Sequence, residues 1–404
     1  MIRSIIKNIF QNKNLAMLFS GQLISQMGDS MFLIGLMWLV LEITGSKTSM
    51  GMVAMIAHIP NLTLALFAGV IVDSFNRKKI MIVSDLARAV IVLAIPITYY
   101  MGIISLPIII ATAFMLSTFS ILFNPARDSV LPELVNKINL LKANSLIQSS
   151  NYAAILIGPI VAAGIVGLIG VANLFTIDAF TFFLSFITIL FITYSPEKKE
   201  KRKLSSAKLQ LKEIANYVFH DKKLRFLLIL TAVNNFFIMG PAIVGIPIFV
   251  KDILQKDAST YALVESMYGI GMIAGSIFIN YANKFMGKGK LLLWGMIFDG
   301  VTYAVLYFVD STALMMFAIV IHAIGIPFIV VSRTAMIQEW TDKEKLGRVF
   351  SLVNIAVVGM TALTTGATGI IAEYIGIDLV FAVFGIAATL SGVIGFYNKK
   401  LREA

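Results

Sequence analysis

The chain has 404 residues, of which 58% are hydrophobic and 14% are charged. Soluble domains carry about 25% charged residues, so this composition excludes an ordinary soluble protein and predicts a polytopic membrane protein. The absence of cysteine excludes disulfide bonds and thiolate metal sites. The chain also lacks a Gly-x4-Gly-Lys-(Ser/Thr) loop for nucleotide phosphates, which argues against direct ATP drive.

The apolar stretches are long enough to cross a bilayer, since a transmembrane helix needs about 20 mainly apolar residues. About twelve spans are predicted, at residues 15–41, 48–72, 80–101, 105–124, 144–168, 172–194, 224–250, 260–282, 291–309, 312–332, 348–372 and 378–397. The longest polar segment, Pro196–Lys223, separates them. We therefore predict an all-α integral membrane protein with an N-terminal six-helix bundle (1–195), a cytoplasmic linker (196–223) and a C-terminal six-helix bundle (224–404).

The basic residues set the predicted orientation. With the N-terminus in the cytoplasm, Arg88 falls inside a span and only Lys47, Lys251 and Lys256 lie outside. The rest of the 33 Lys and Arg fall on cytoplasmic segments, as the positive-inside rule requires. This asymmetry explains the net charge of +11 without a nucleic-acid partner and places both termini in the cytoplasm. The basic segment Met1–Asn14 lacks a signal-peptide cleavage site and is predicted to form a short interfacial helix.

The two halves of the chain repeat each other. A shift of 206 residues without gaps superimposes similar residues throughout both halves. The pairs are Arg127 with Arg333, Glu133 with Glu339, Lys137 with Lys343, Lys142 with Arg348, Ser145-Leu146 with Ser351-Leu352, Gly170 with Gly376, and Gly69 with Gly275. Two six-span repeats joined by a cytoplasmic loop predict a transporter whose substrate site lies between the halves.

A short polar turn joins predicted spans 2 and 3. Its pattern of Gly69, Asp73, Arg77, Lys78 and Lys79 resembles the loop between helices 2 and 3 of the major facilitator superfamily of transporters. The turn departs from that family at Asn76, where the family usually has Gly, and at Ser74, where a basic residue is common. Asn tolerates positive φ better than other non-glycine residues, so we expect the turn to survive this change.

Further segments resemble the macrolide-efflux-like branch of that superfamily. They are Phe123 to Val135, Ala143 to Leu146, Gly158-Pro159, and Arg333 through Gly347 to Ser351. The resemblance implies a secondary transporter that works by alternating access. This branch contains drug:proton antiporters, siderophore exporters and lipid transporters, so the resemblance does not fix the substrate. Gly158-Pro159 and Gly164 partly match the family's antiporter motif, but span 4 lacks the central Arg of many drug antiporters.

Asp29 is the foremost candidate for chemistry, because a charged residue near the middle of a span costs about 2.5–3.5 kcal/mol. Gln22, Gln26 and Asp29 follow each other at i, i+4 and i+7 and share one helix face. We predict that this face lines a cavity and that Asp29 binds a proton or a cation. The alternative is an acid held by an interhelical hydrogen bond.

Other ionisable residues inside spans have weaker claims. Asp299 in span 9 is a second proton-coupling candidate or a latch, and it occupies the position of Arg88 in the first repeat. Asp85 and Arg88 are helix neighbours, which predicts a structural pair or a gate latch. The simpler interpretation of Asp178 and Glu265 is that they reach the interface. His58 and His322 could relay protons, although a hydrogen-bonded histidine is commoner.

The remaining predicted site residues form two groups. The cytoplasmic gate comprises Gly69, Asp73, Arg77, Lys78, Asp85, Arg88, Arg127 and Arg348. The substrate cavity comprises Gln22, Gln26, Gln148, Asn151, Asn354 and Thr361. In the closed gate we expect Asp73 to meet the N-terminus of span 11, where the helix dipole and Arg348 supply positive charge.

The prediction is a secondary active transporter in the plasma membrane, which exports lipophilic or amphipathic molecules in exchange for protons. A siderophore exporter, a lipid or lysolipid flippase on the same scaffold, and a non-transporting membrane receptor remain alternatives. We expect no enzymatic activity, no cofactor or metal other than the proton gradient, no nucleic-acid partner, and a monomer. Its partners would be protons and a small lipophilic substrate or a lipid.

Overall fold

The structure is a computed structural model that describes residues 12–136, 140–193 and 204–404. These residues form α-helices without a β-strand. The helices are α1 (Lys13–Thr44), α2 (Lys47–Thr63), α3 (Ala65–Ser74), α4 (Arg77–Tyr100), α5 (Leu106–Leu134), α6 (Leu140–Ile169), α7 (Ala172–Leu190), α8 (Leu204–His220), α9 (Lys222–Gly240), α10 (Ile246–Asp252), α11 (Ala258–Met286), α12 (Lys288–Val305), α13 (Thr312–Trp340), α14 (Leu346–Ile375), α15 (Ile377–Phe396) and α16 (Lys399–Arg402). The all-α membrane fold is thereby confirmed. The predicted interfacial helix at Met1–Asn14 falls mostly outside the described residues.

The chain divides into two compact units. Unit 1 comprises Met1–Leu39 and Ile59–Ala207, and unit 2 comprises Val40–His58 and Lys208–Ala404. Each unit has its own apolar core. In unit 1 this core includes Leu18, Phe123 and Ala126, whereas in unit 2 it includes Leu227 and Met296.

The second predicted span is interrupted at one residue, Leu64, which separates α2 from α3, with 17 and 10 residues. Helical hydrogen bonds continue there, from the Leu64 N–H to the Pro60 carbonyl oxygen and from the Ala68 N–H to the Leu64 carbonyl oxygen, both at 2.8 Å. Among the described residues 11 helices are long and apolar enough to cross a membrane without interruption, and the interrupted helix α2–α3 accounts for the remaining predicted span. A second interruption lies in the seventh span, where the π-helical segment Pro241–Gly245 separates α9 from α10.

The predicted linker contains helix α8. Its apolar side chains Ile214 and Val218 are 3% and 2% exposed and pack against Leu224 and Leu227 of α9. The α8–α9 junction is fixed by Asp221, whose side chain accepts hydrogen bonds from the backbone N–H groups of Lys223 and Leu224. The C-terminal part of the linker is therefore an amphipathic helix that belongs to the core of unit 2.

The repeat deduced from the sequence has local counterparts in both units. Gly170 and Gly376, which the shift of 206 residues superimposes, have φ values of +87° and +84°, and each links two consecutive helices. Both positions require glycine, because other residues rarely adopt this left-handed region. Glu133 pairs with Arg77 in unit 1, and its counterpart Glu339 pairs with Lys288 in unit 2.

The turn before α4 shows why Asn76 replaces glycine. Its φ is −66°, so the turn does not use the tolerance of Asn for positive φ. Asn76 is the N-cap of α4 and its side-chain oxygen accepts a hydrogen bond from the Lys79 N–H at 3.1 Å. In unit 2 the corresponding residue before α12 is Gly287, which does have a positive φ of +76°. The two repeats therefore start equivalent helices with different turns.

Two helices of unit 2 approach each other through glycine. A Cβ atom added at Gly51 of α2 would lie 2.6 Å from the carbonyl oxygen of Thr365 and 2.9 Å from the Cα of Gly369 on α14. Small residues let membrane helices pack with their backbones in contact. Lys47 of the same helix forms an ion pair with Asp252 at 2.7 Å, and Glu373 accepts a hydrogen bond from the Thr48 N–H at 3.0 Å.

Candidate functional site

The centre of unit 1 contains a buried cation. The side chain of Arg88 is 4% exposed and forms an ion pair with Asp85, which has no exposed side-chain surface. The guanidinium group lies over the rings of Phe123 and Phe182, at 4.6 Å and 4.2 Å from their centroids. Cation–π contacts of this kind strengthen when they are desolvated. Asp85 and Arg88 thus form a buried structural pair, while their role in a gate stays a prediction.

Two further carboxyl groups interact electrostatically with Arg88. These are Asp29 of α1 and Asp178 of α7, which also act on each other. Asp29 is half-buried, whereas Asp178 is fully buried. Three carboxyl groups therefore interact with this guanidinium group, and only Asp85 is shown to contact it directly. Since an unpaired buried charge is costly, this arrangement favours retention of a proton or a cation among the acids.

Asp178 does not reach the membrane interface, so that interpretation was wrong. Thr181 donates a hydrogen bond to Asp178 Oδ1 at 3.3 Å, and the other oxygen, Oδ2, has no hydrogen-bond partner among the described residues. The carboxyl group packs against Gly28 of α1, where a Cβ atom would collide with it. The spacing of Asp178, Thr181 and Ser185 at i, i+3 and i+7 could have indicated a polar face directed inwards.

The glutamines of the α1 stripe bind other helices of unit 1. Gln22 is 2% exposed, and its side-chain oxygen accepts a hydrogen bond from Arg127 at 2.8 Å. Gln26 accepts a hydrogen bond from Ser150 at 2.7 Å. The first two members of the predicted cavity stripe therefore hold α1 against α5 and α6, and the half-buried Asp29 is its more accessible end.

The turn between α3 and α4 is held by interactions that the sequence did not single out. Arg77 is buried and pairs with Glu133 of α5, while the Lys78 ammonium group donates a hydrogen bond to the carbonyl oxygen of Leu190 at 2.9 Å. A Cβ atom at Gly69 would meet no other atom within 4 Å. Asp73 lies at the end of α3, but its side chain is outside the described residues, so its predicted role stays a prediction.

The other predicted residues divide between exposed and buried positions. Gln148, Asn151, Asn354 and Arg348 are exposed. Thr361 is 5% exposed, and its hydroxyl group accepts a hydrogen bond from Asn235 at 2.9 Å. Thr361 therefore joins α14 to α9 inside unit 2, and the sequence gave no signal for this partner.

Unit 2 contains a second buried polar group, around Asp299 of α12. Asn234 of α9 donates a hydrogen bond to Asp299 Oδ2 at 3.4 Å, and Nε2 of His322 on α13 lies 3.4 Å from Asp299 Oδ1. Asp299 is 3% exposed and His322 is 1% exposed. Sequence reasoning identified both residues but could not pair them, because they lie on different helices.

The fold and these buried carboxyl groups define a multi-pass membrane transporter. A family model described as a transmembrane secretion effector matches residues 8–404. The chain belongs to this family of the major facilitator superfamily, as the sequence resemblance predicted.

Curated relatives cover nearly the whole chain at low identity. An uncharacterized transporter of the same superfamily, YfiS of Bacillus subtilis, is 24% identical over 98% of this chain and 96% of its own. Macrolide efflux protein A of Streptococcus pyogenes is 23% identical over 91% of both chains. The multidrug efflux pump Tap of Mycolicibacterium fortuitum is 24% identical over 93% of both chains.

Solved structures share the fold. The nucleoside transporter NupG matches with a TM-score of 0.77 and 13% identity, covering 94% of this chain and 99% of its own. A bacterial homologue of the iron transporter ferroportin matches with a TM-score of 0.77 and 17% identity, covering 94% of this chain and 98% of its own. These likenesses establish the architecture alone.

Proposed function

We propose that this protein is a proton-coupled exporter of lipophilic or amphipathic small molecules, working by alternating access in the bacterial plasma membrane with both termini in the cytoplasm. The observation that carries the proposal is that three buried or half-buried carboxyl groups, those of Asp29, Asp85 and Asp178, interact electrostatically with the guanidinium group of Arg88. Ionisable residues inside a membrane domain are expensive and usually functional.

In this proposal the three acids have different parts. Asp85 is paired directly with Arg88, and Asp178 is fully buried beside Gly28. Asp29 is the most accessible of the three. A proton that enters or leaves the group would therefore pass through Asp29. Loss of this proton would add a negative charge near Arg88 and change the electrostatic interaction between Asp29 of α1 and Asp178 of α7.

The proposed substrate class is supported by the names of the relatives, which include macrolide and multidrug efflux proteins. The exposed amides Gln148 and Asn151 are one helical turn apart on α6 and could hydrogen-bond a polar group of such a molecule. The apolar part of such a molecule would suit an adaptable apolar surface, which the 29 Phe and 20 Met residues of the chain could supply.

The experiment is export driven by an imposed pH gradient in inverted membrane vesicles, with ethidium and erythromycin as probes. The wild-type protein should accumulate a probe when the vesicle lumen is acidic, and Asp29→Asn should abolish the dependence on the gradient. The control is Asp128→Asn, which alters a 62% exposed carboxyl group and should transport normally. Wild-type rates in Asp29→Asn would refute the proton role.

A second assay separates the substrate classes. Thermal stability of the purified protein is measured across pH with macrolides, dyes, siderophores and lysolipids, because a ligand that binds the folded state stabilises it. The proposal is supported if macrolides or dyes stabilise the protein and this stabilisation weakens as the pH falls, because protons then compete with the ligand. Stabilisation by lysolipid alone, with transfer of labelled lipid in proteoliposomes, would replace it with a flippase. Absence of any flux would favour a membrane receptor.

A further inference from the structure

The Asp299 group in unit 2 has a hydrogen-bonding pattern that reveals where a proton resides. His322 has both ring nitrogens next to oxygen atoms. Its Nδ1 lies 2.9 Å from the hydroxyl oxygen of Thr302, and its Nε2 lies 3.4 Å from Asp299 Oδ1. Which nitrogen carries hydrogen is set by these partners.

Thr302 is the partner of the first nitrogen. Its hydroxyl group lies 2.7 Å from the carbonyl oxygen of Phe298 and 3.0 Å from that of Asp299. A carbonyl oxygen only accepts hydrogen bonds, so both contacts are hydrogen bonds only when the single hydroxyl proton of Thr302 points to the backbone. In that arrangement the hydroxyl oxygen accepts from a hydrogen on His322 Nδ1, whereas in the other tautomer Thr302 donates to Nδ1.

With the hydrogen on Nδ1, the Nε2 atom of a neutral imidazole presents a lone pair to Asp299. A deprotonated carboxylate would present another lone pair, and Asp299 Oδ1 has no hydrogen-bond partner among the described residues. Two facing lone pairs repel each other in a buried site. One proton between the two atoms removes the conflict, whether it is bound to the oxygen or to the nitrogen.

We propose that Asp299 and His322 share one proton between Oδ1 and Nε2, and that this pair is a proton-binding site of unit 2. The coupling of this site to export rests on the proposed function, whereas the location of the proton does not. Loss of the proton would force either Asp299 or His322 to turn away. Because these residues lie on α12 and α13, protonation would alter the contact between two spanning helices.

The surrounding groups are suited to a proton site. The rings of Tyr268 on α11 and Tyr303 on α12 meet the imidazole edge-on, with centroids 5.8 Å and 4.3 Å away. Glu265 of α11 interacts electrostatically with both tyrosines. The hydroxyl groups of Tyr268 and Tyr303 lie 2.7 Å apart. Tyr303 is 1% exposed and Tyr268 is half-buried, so the tyrosine pair extends from the buried site towards accessible space. The α9 contribution, Asn234, carries no charge.

Nitrogen-15 NMR of histidine tests the location of the proton without any transport substrate. The chain has three histidines, so a His58→Gln, His220→Gln variant in nanodiscs reports on His322 alone. We expect a ring protonated at Nδ1, with an Nε2 signal that moves when rising pH removes the shared proton. In the same background Asp299→Asn should abolish that movement, because the amide donates to Nε2 without releasing a proton.

A second variant keeps the test independent of any folding defect in Asp299→Asn. Thr302→Val is nearly isosteric and removes the acceptor for Nδ1, so the ring should adopt the Nε2–H form and bind an ionised Asp299. The matched control is Thr334→Val on α13, whose hydroxyl group donates to the carbonyl oxygen of Val330 at 2.7 Å; its spectrum should equal that of the parent. A neutral imidazole in the parent that is protonated at Nε2 alone, or an unchanged pH response in both Asp299→Asn and Thr302→Val, would overturn the proposal.

The transport arm is measured separately. Asp299→Asn should remove the pH dependence of ethidium export, while Thr334→Val retains it. If the parent protein shows no export but its histidine spectrum follows the expectation, the proposed function fails and the proton site stands. If export is pH-dependent and unchanged in Asp299→Asn, the pair is not part of the coupling machinery.

Discussion

Replacement of Arg88 by methionine should destabilise unit 1 strongly. The substitution keeps an apolar stem between Phe123 and Phe182 but removes the positive charge that pairs with the fully buried Asp85. Breaking a buried ion pair by removing one partner costs about 3–5 kcal/mol, because the other charge is left uncompensated. Two desolvated cation–π contacts are lost as well, each worth about 2 kcal/mol.

The double variant Asp85→Asn, Arg88→Met isolates the pair. It removes both charges, so its loss of stability should be smaller than the sum of the single losses, with a coupling energy of about 0.5–3 kcal/mol. The assay is chemical unfolding in mixed micelles, followed by tryptophan fluorescence. The contrasting pair is Lys288–Glu339, whose side chains are 32% and 56% exposed. An exposed pair contributes about 0–1 kcal/mol.

The same series tests whether Asp29, Asp85 and Asp178 together carry more negative charge than Arg88 can neutralise. Asp178→Asn keeps the shape of the side chain but removes one carboxyl group, so the free energy of unfolding should stay level or increase. Additive effects of Asp85→Asn and Arg88→Met would refute the buried pair. A loss in Asp178→Asn as large as that in Arg88→Met would refute the charge argument.

The remaining predictions concern packing and capping. Gly51→Ala should lower the melting temperature, since its Cβ atom would lie 2.6 Å from the Thr365 carbonyl oxygen, whereas Gly164→Ala, with no atom within 4 Å, should not. Asp257→Ala should lower the free energy of unfolding by about 0.5–2 kcal/mol, because it removes the N-cap of α11. Asp257→Asn should keep most of that stabilisation, since Asn is also a favoured N-cap residue. The hydrogen bond from the Thr260 N–H lowers the pKa of Asp257 in the folded protein. The charged cap therefore stabilises the fold at pH values above the ordinary pKa of an aspartate, and this stabilisation is lost as the pH falls through the lowered pKa. Unfolding measured against pH checks this sign, and equal melting curves for Gly51→Ala and Gly164→Ala would contradict the packing argument.

The fold was largely predictable, because hydropathy and the internal repeat act over long segments. The repeat was visible in Gly170 and Gly376, and the structure gives the physical reason in their shared positive φ. Hydropathy alone did not predict the interruption at Leu64, although Pro60, which cannot donate a backbone hydrogen bond, lies four residues before it. Asn76 was interpreted through its tolerance of positive φ, but a capping hydrogen bond decided its conformation.

The site was predictable as single residues but not as groups. Asp29, Arg88 and Asp299 attracted attention because charges inside apolar spans are rare. Their partners come from distant helices: Asp178 of α7 interacts electrostatically with Arg88, and His322 of α13 lies 3.4 Å from Asp299. Spacing along one helix reveals neighbours on that helix only. It therefore found Asp85 beside Arg88 and could not find the others.

The most direct test of the account is a measurement of proton movement when substrate alone supplies the driving force. Proteoliposomes with a pH indicator in the lumen receive external ethidium, a permanent cation that cannot carry a proton by itself. The account predicts that the lumen becomes more alkaline as ethidium enters, and that Asp29→Asn abolishes this change. Entry of ethidium through the wild-type protein without any change in luminal pH would contradict proton-coupled export.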